Sequence, residues 1–316
     1  AAGQHGGAGP RSGSGPCAAA GPPAAGPAPE RRLLVLGGED GGAHHDTTEV
    51  LDPSSMAFAS GPRMGSERAS FAAVDAGEGR LLVLGGSVGS RCLETTELLD
   101  LRSASSSAGP RMGSRRAACA AARIGERRVL VLGGRDRSTR LDTSEVLDLG
   151  TMTFSPGPRM LTRRNMFAVA RLDAGRLLVL GGHDGSSALD TTEVLDLRSM
   201  SFSRGPRMRS ERFSCAASMV DDEHLLVLGG IGASNCRLDT TEVLDLDRME
   251  FTPGPTMNTP RSGFATMALD EQRLIVVGGF DGKDRLASTE VLHLSEWAFA
   301  HGPSMHTARG GCAAVS

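Results

Sequence analysis

Short apolar runs, each stopped by a pair of glycines, punctuate this chain at nearly constant intervals. The runs LLVL, LLVL, RVLVL, LLVL, LLVL and LIVV end at Gly37-Gly38, Gly85-Gly86, Gly133-Gly134, Gly181-Gly182, Gly229-Gly230 and Gly278-Gly279. The first four steps are 48 residues and the last is 49. A fixed period of this size marks an array of one supersecondary unit. Around Gly85 the unit reads as a small-apolar stretch (Ala69–Val74), a turn, the apolar run (Leu81–Leu84), a polar loop (Ser87–Leu93), an alternating stretch (Thr96–Leu101) and a weak fourth stretch before Gly109-Pro110. Four strands of about six residues with connections of about the same length fill the period and leave no room for a helix.

A lone four-stranded sheet leaves two faces and two edges open. Six such sheets packed radially bury the faces against one another, which predicts an all-β, six-bladed β-propeller of antiparallel blades. The glycines suit this: a residue without Cβ permits close backbone approach and positive φ at a strand end.

Other positions recur in phase. A Thr/Ser-Glu pair opens the third strand at Glu49, Glu97, Glu145, Glu193, Glu242 and Glu290. Gly-Pro-x-Met closes each repeat, and an arginine follows each Met by four: Arg68, Arg116, Arg164, Arg212, Arg261 and Arg309. Three residues later the chain alternates Phe71, Cys119, Phe167, Cys215, Phe264, Cys312, large and small, as interlocking neighbours require. Residues present in every repeat are scaffold, so the six Glu and six Arg are expected to pair within the blades.

The pattern of apolar run, Gly-Gly, Glu-x-x-Asp (Glu49/Asp52, Glu145/Asp148, Glu193/Asp196), aromatic, Pro-x-Met and Arg resembles the Kelch repeat, in six copies from about Arg31 to Ser316. The usual third-strand Tyr is replaced by Leu51, Leu99, Leu147, Leu195, Leu244 and Leu292. The usual fourth-strand Trp is replaced by Phe58, Phe154, Phe202, Phe251 and Phe299, with only Ser106 in the second repeat. Blade 2 is therefore expected to have the weakest outer strand, and a Phe at Ser106 to strengthen it. The final segment, Met305–Val315, matches the start of a repeat, whereas the first Gly-Gly run lacks a good preceding strand. The C-terminal strand should thus close the ring in blade 1, as the resemblance to Kelch propellers also implies. Residues 1–30 are Gly/Ala/Pro-rich and read as disordered, with a vestigial strand at Cys17–Ala20 as the minority alternative. Residues 31–316 form the propeller domain.

Composition narrows function by exclusion. With a net charge of −3 the whole molecule is no nucleic-acid binder. No apolar run approaches the roughly 20 residues of a membrane helix. The chain opens on Ala1 rather than Met, so targeting cannot be judged from it. The spread of the cysteines, with Cys119, Cys215 and Cys312 on different blades, favours free thiols and a reducing, cytoplasmic setting. Tyr is absent, so the copper–tyrosyl radical chemistry of galactose-oxidase-like Kelch enzymes is excluded. A sugar-mutarotase-type enzyme remains the alternative, with His183 and Arg135 its only candidate groups. His44-His45-Asp46 lacks a spaced partner for a metal site. No cofactor is called for.

Function should lie where the repeats differ: in the loops after the Gly pairs and beside each recurring Arg. In Kelch adaptor propellers, which can serve as substrate-recognition modules of ubiquitin ligases, both places line one face and contact the partner. That resemblance implies a protein-binding face with Arg115, Arg135, Arg163, Asn165 and His183 over blades 3 and 4, Phe213, Ile231, Ser262 and Phe280 on the other side, and Glu67 and Glu211 flanking. A positive sector with apolar neighbours suits an acidic peptide held through arginine forks.

Overall fold

The computed structural model describes residues 33–315. The readings made for residues 1–30 lie outside that range. Six four-stranded antiparallel sheets follow one another along the chain, with no α-helix among the described residues. In blade 2 the strands run from Ala72–Gly77, innermost, through Arg80–Leu84 and Thr96–Asp100 to Ser105–Ala108, outermost. Blades 3 to 6 repeat this order, each innermost strand lying beside that of the next blade. Blade 1 is assembled from both ends of the chain: Ala313–Val315 is its innermost strand, followed by Leu33–Leu36, Thr48–Asp52 and Ala57–Ser60. The register pairs Leu34 with Val315, Val35 with Ala314 and Leu36 with Ala313. The C-terminal strand closes the ring, as the repeat arithmetic predicts.

Each apolar run forms the second strand of its blade and is buried on both faces. Leu82 and Leu84 of blade 2 pack with Cys119, Val129, Val131 and Leu147 of blade 3. Their neighbours Leu81 and Val83 point the other way, onto Leu34, Leu36, Met64 and Phe71 at the junction with blade 1. The period-2 alternation thus feeds two interblade cores rather than one core and solvent. Truncating one of these leucines to Ala should cost about 2–5 kcal/mol.

The Gly pair ending this strand is sterically required. Gly85 has φ +63°, and a Cβ there would lie 2.2 Å from the Arg116 carbonyl oxygen. Gly86 has φ +93°, and its Cβ would lie 2.8 Å from the carbonyl of Ala69. Both glycines let the chain turn while touching the backbone of two entering segments.

Beneath the Gly pairs sits the recurring ion pair. Arg164 Nη2 lies 2.7 Å from Glu193 Oε1, with the two side chains 0% and 2% exposed. Arg164 Nη1 donates to the carbonyls of Gly181 and Thr191, at 2.7 and 3.0 Å. The Glu193 carboxylate also accepts the backbone N–H groups of Leu161 and Thr162. Equivalent pairs join Arg68 to Glu97, Arg116 to Glu145, Arg212 to Glu242 and Arg261 to Glu290. The sixth, Arg309 to Glu49 at 3.2 Å, ties the C-terminal segment to blade 1, and Arg309 also donates to the carbonyls of Gly37 and Thr47. A buried charge pair tolerates the loss of neither partner, because the survivor is left desolvated and uncompensated.

Two features escape the sequence pattern. A closed circle of backbone hydrogen bonds links the blades: Ala118 N–H donates to Ser70, Met166 to Ala118, Ser214 to Met166, Gly263 to Ser214, Gly311 to Gly263 and Ser70 to Gly311, at 2.7–2.9 Å. Ser70, Ala118, Met166 and Ser214 take φ of 52–56° to make it. The loops after the Gly pairs in blades 2 and 3 are also more ordered than polar loops: Ser87–Val88 pairs with Arg91–Cys92, and Arg135–Asp136 with Thr139–Arg140. In blade 5 the extra residue is absorbed by a 3₁₀ turn, Ala233–Asn235.

Ser106 occupies the Phe position of blade 2, opposite Leu99, as Phe154 stands opposite Leu147. It is not an empty gap. Its hydroxyl lies 3.1 Å from Glu97 Oε2 as a donor, adding a bond to a buried carboxylate that the Phe blades lack.

Candidate protein-binding face

The residue after each recurring Arg and the residue after each Gly pair meet as a two-bond backbone bridge. Ala117 pairs with Arg135, Asn165 with His183, Phe213 with Ile231 and Ser262 with Phe280. In the Phe213–Ile231 bridge the N–H···O distances are 3.0 and 2.7 Å. Both sets of variable positions therefore share one face, fixed by main-chain geometry.

Their exposure divides them. Asn165 (0%), Ser262 (4%) and Ile231 (8%) are buried and form the floor. Neither side-chain amide atom of Asn165 has a hydrogen-bond partner. Arg163 is exposed, and Arg115, Arg135, His183, Phe213 and Phe280 are half-buried.

The arginines differ in partners. Arg115 Nε donates to Glu94 at 2.7 Å, and Glu94 also receives Arg111 at 2.9 Å. The hydrogen bond from Arg115 holds the Glu94 carboxyl below its ordinary range. Arg115 is thus already committed to a neighbour. No carboxylate lies within 4 Å of Arg135 or Arg163 among the described residues, nor of Arg137 and Arg140 in the same blade 3 loop. Arg135 and Arg140 donate only to loop carbonyls, of Arg137 at 3.2 Å and Ser138 at 2.8 Å. Arg137 and Arg140 belong to the cluster although their loop, RDRSTRL, singles out only Arg135 by position.

On the blade 4 side, His183 Nδ1 accepts the N–H of Gly185 at 2.9 Å, which places the ring proton on Nε2. Its ring meets Phe213 edge-on, centroids 5.2 Å apart. Across the face Phe280 is covered by cations, with the guanidinium of Arg285 4.2 Å and that of Arg237 4.9 Å from its centroid. Arg285 is in turn ion-paired to Glu39 of blade 1. Nothing in the spacing of Arg237 and Arg285 signals that they stack on Phe280; only the fold brings the blade 5 and blade 6 loops together there.

Just below this face the channel mouth is a cavity of about 120 Å³ lined by the backbone circle, Phe71, Phe167 and Phe264, and Cys119, Cys215 and Cys312. Burial pushes all three thiols up to about 11, which makes them poor nucleophiles. His45 Nε2 lies 3.4 Å from Asp40, and no group of three or more His, Cys, Asp or Glu among the described residues could hold a metal ion. No helix there is long and apolar enough to cross a membrane.

Six radial four-stranded blades, a repeated interior of Arg–Glu pairs and one face of non-repeating loops define a six-bladed β-propeller. The chain belongs to the Kelch-repeat family: residues 109–279, more than half of it, match the KLHDC2/KLHL20/DRC7 Kelch-repeats domain. No curated protein matches the chain significantly.

Proposed function

We propose that this propeller is a protein-binding module that captures an acidic segment of a partner on the face formed by the loops after the Gly pairs, with blades 3 and 4 supplying the positive contact. The observation that carries the reading is the set Arg135, Arg137, Arg140 and Arg163, four guanidiniums on adjoining loops without a carboxylate partner. Elsewhere on the face Arg115 is matched by Glu94 and Arg285 by Glu39, while Arg237 lies over the Phe280 ring. A carboxylate arriving from a partner would find planar donors already placed by rigid bridges. The channel mouth offers backbone, aromatic rings and protonated thiols, and no acid–base pair for turning over a small molecule, so a binding role is favoured over an enzyme. The face is suited to substrate recognition within a larger assembly.

Fluorescence anisotropy of a labelled Glu-rich peptide tests this. The parent protein should bind it with an affinity that falls steeply with salt. R135E/R163E should bind at least tenfold more weakly while melting within about 1 °C of the parent, since each charge-assisted contact contributes roughly 1.5–3 kcal/mol. Equal binding by parent and double reversal would refute the assignment.

A further inference from the structure

The face opposite the Gly-Gly loops is built from the tight turns between the first two and the last two strands of each blade. At the latter turn one residue adopts left-handed φ of 51–54° in every blade: Met56, Ala104, Met152, Met200, Met249 and Trp297. Four methionines fill this position with flexible side chains, and Met56 shows how, packing back onto the core of the preceding blade 6. Blade 6 alone places an indole there. Trp297, the only tryptophan of the chain, is 40% exposed.

Beside it lies a groove of about 470 Å³ between blades 5 and 6. Its apolar wall is Val220, Val243, Pro253, Leu294 and Trp297, and its polar wall includes Asp221, Asp245, His224 and Arg248. Asp245 accepts the turn N–H of Arg248 at 2.8 Å, which holds its carboxyl below the ordinary range. Asp221 is also held low, burial opposing and the N–H of Glu223 and the His224 ring prevailing. Both are therefore ionised at neutral pH. The same turns add exposed Asp222, Glu223, Asp247, Glu250 and Glu296, against Arg248 as their one arginine. The corresponding turns of blades 3 and 4 are balanced, with Glu126, Asp148 and Asp196 against Arg127, Arg128 and Arg198. Aromatic exposure and carboxylate excess thus coincide in one sector.

We propose that this groove is a second docking surface, which takes a basic, arginine-bearing segment of a partner protein with one guanidinium laid on the Trp297 indole and its charge met by Asp221 and Asp245. Charge complementarity selects the occupant: Asp221 and Asp245 face His224 at 2.9 Å and Arg248 at 3.8 Å, yet the further carboxylates of the same turns oppose an acidic segment, whereas a planar cation uses both walls at once. The opposite face prefers an acidic ligand, so the two surfaces would accept different segments without competing.

The lone tryptophan makes the test specific. The full chain is titrated with an acetylated, amidated Gly-Arg-Leu-Arg-Gly peptide while Trp297 emission is followed, with Gly-Glu-Leu-Glu-Gly as control. A saturable emission change with the arginine peptide alone is expected. D221N/D245N, whose amides can still accept the turn N–H groups, should bind about tenfold more weakly, and W297M about fivefold more weakly by anisotropy of the labelled peptide, with melting temperatures near the parent's. R135E/R163E should bind the arginine peptide like the parent, so failure on one face is read separately from failure on the other. No emission change at millimolar peptide, or binding by W297M and D221N/D245N as tight as the parent's, would overturn the proposal. An emission change that follows protein concentration instead of peptide would also overturn it, identifying a self-association face.

Discussion

Arg163 and Arg164 are neighbours in the chain with opposite surroundings. Arg164 is fully buried, charge-paired to Glu193 and bonded to two carbonyls. Arg163 is exposed and has no carboxylate within 4 Å among the described residues. Arg164 recurs in all six repeats as the anchor of the blade, whereas its predecessor varies as Glu67, Arg115, Arg163, Glu211, Pro260 and Ala308. The repeated arginine is occupied by the fold; the unrepeated one is available to something else. In a repeat protein, periodicity itself separates scaffold from surface, because six copies of a group serve the ring and a single copy serves one place on it.

The comparison breaks first at the ring closure. Arg309→Ala leaves the buried Glu49 carboxylate without its guanidinium, held only by the N–H groups of His306 and Thr307 and the His306 ring where the C-terminal segment meets blade 1, and should cost about 3–5 kcal/mol in denaturant unfolding. A loss below about 1 kcal/mol would show that the pair is not what holds the C-terminal strand in blade 1.

The channel thiols give a pH test of the interior. Burial raises Cys119 and Cys312 from 9.0 to about 11 in the folded protein. A raised folded value means the proton is held more tightly when folded. The associated stability is therefore complete below pH 9 and is lost as pH rises through 11. Each thiol can account for roughly 2–3 kcal/mol of that loss. C119A/C312A should flatten the decline of stability between pH 9 and 11; an unchanged slope would locate the alkaline sensitivity elsewhere.

Blade 2 gives the smallest effect. Ser106→Ala removes a donor to the Glu97 carboxylate and should cost about 1 kcal/mol, while amides of Ser105–Ala108 should exchange faster than those of Thr153, Phe154 and Ser155. Equal exchange in the two strands would mean that the hydroxyl compensates fully for the missing ring. The hydrogen bond also changes the expectation for Ser106→Phe, whose added burial must now exceed the loss of that bond.

The architecture was legible in the chain because its signals are local and repeated six times. The apolar runs, the Gly pairs and the matching end segments fix strand order and closure before any contact is known. The candidate face was legible in part. The bridges of Asn165 to His183 and Phe213 to Ile231 follow from repeat phase. Which of those side chains reach solvent does not, since Asn165 and Ile231 sink into the floor through packing that no periodicity encodes. The pairing of Arg115 with Glu94 spans 21 positions and depends on two loops crossing, as does the covering of Phe280 by Arg237 and Arg285. The backbone circle left almost no trace, because main-chain bonds constrain side chains weakly; only Gly263 and Gly311 mark its left-handed positions.

The most direct test of the central claim takes the adjacent arginines one at a time. R163A and R164A are each measured for thermal stability and for anisotropy of the labelled Glu-rich peptide. R164A should lose about 3–5 kcal/mol of stability. R163A should melt like the parent and bind the acidic peptide roughly tenfold more weakly. The account is contradicted if R163A binds like the parent, or if R164A unfolds with the parent's midpoint, because the repeated and unrepeated arginines would then not divide the work between fold and face.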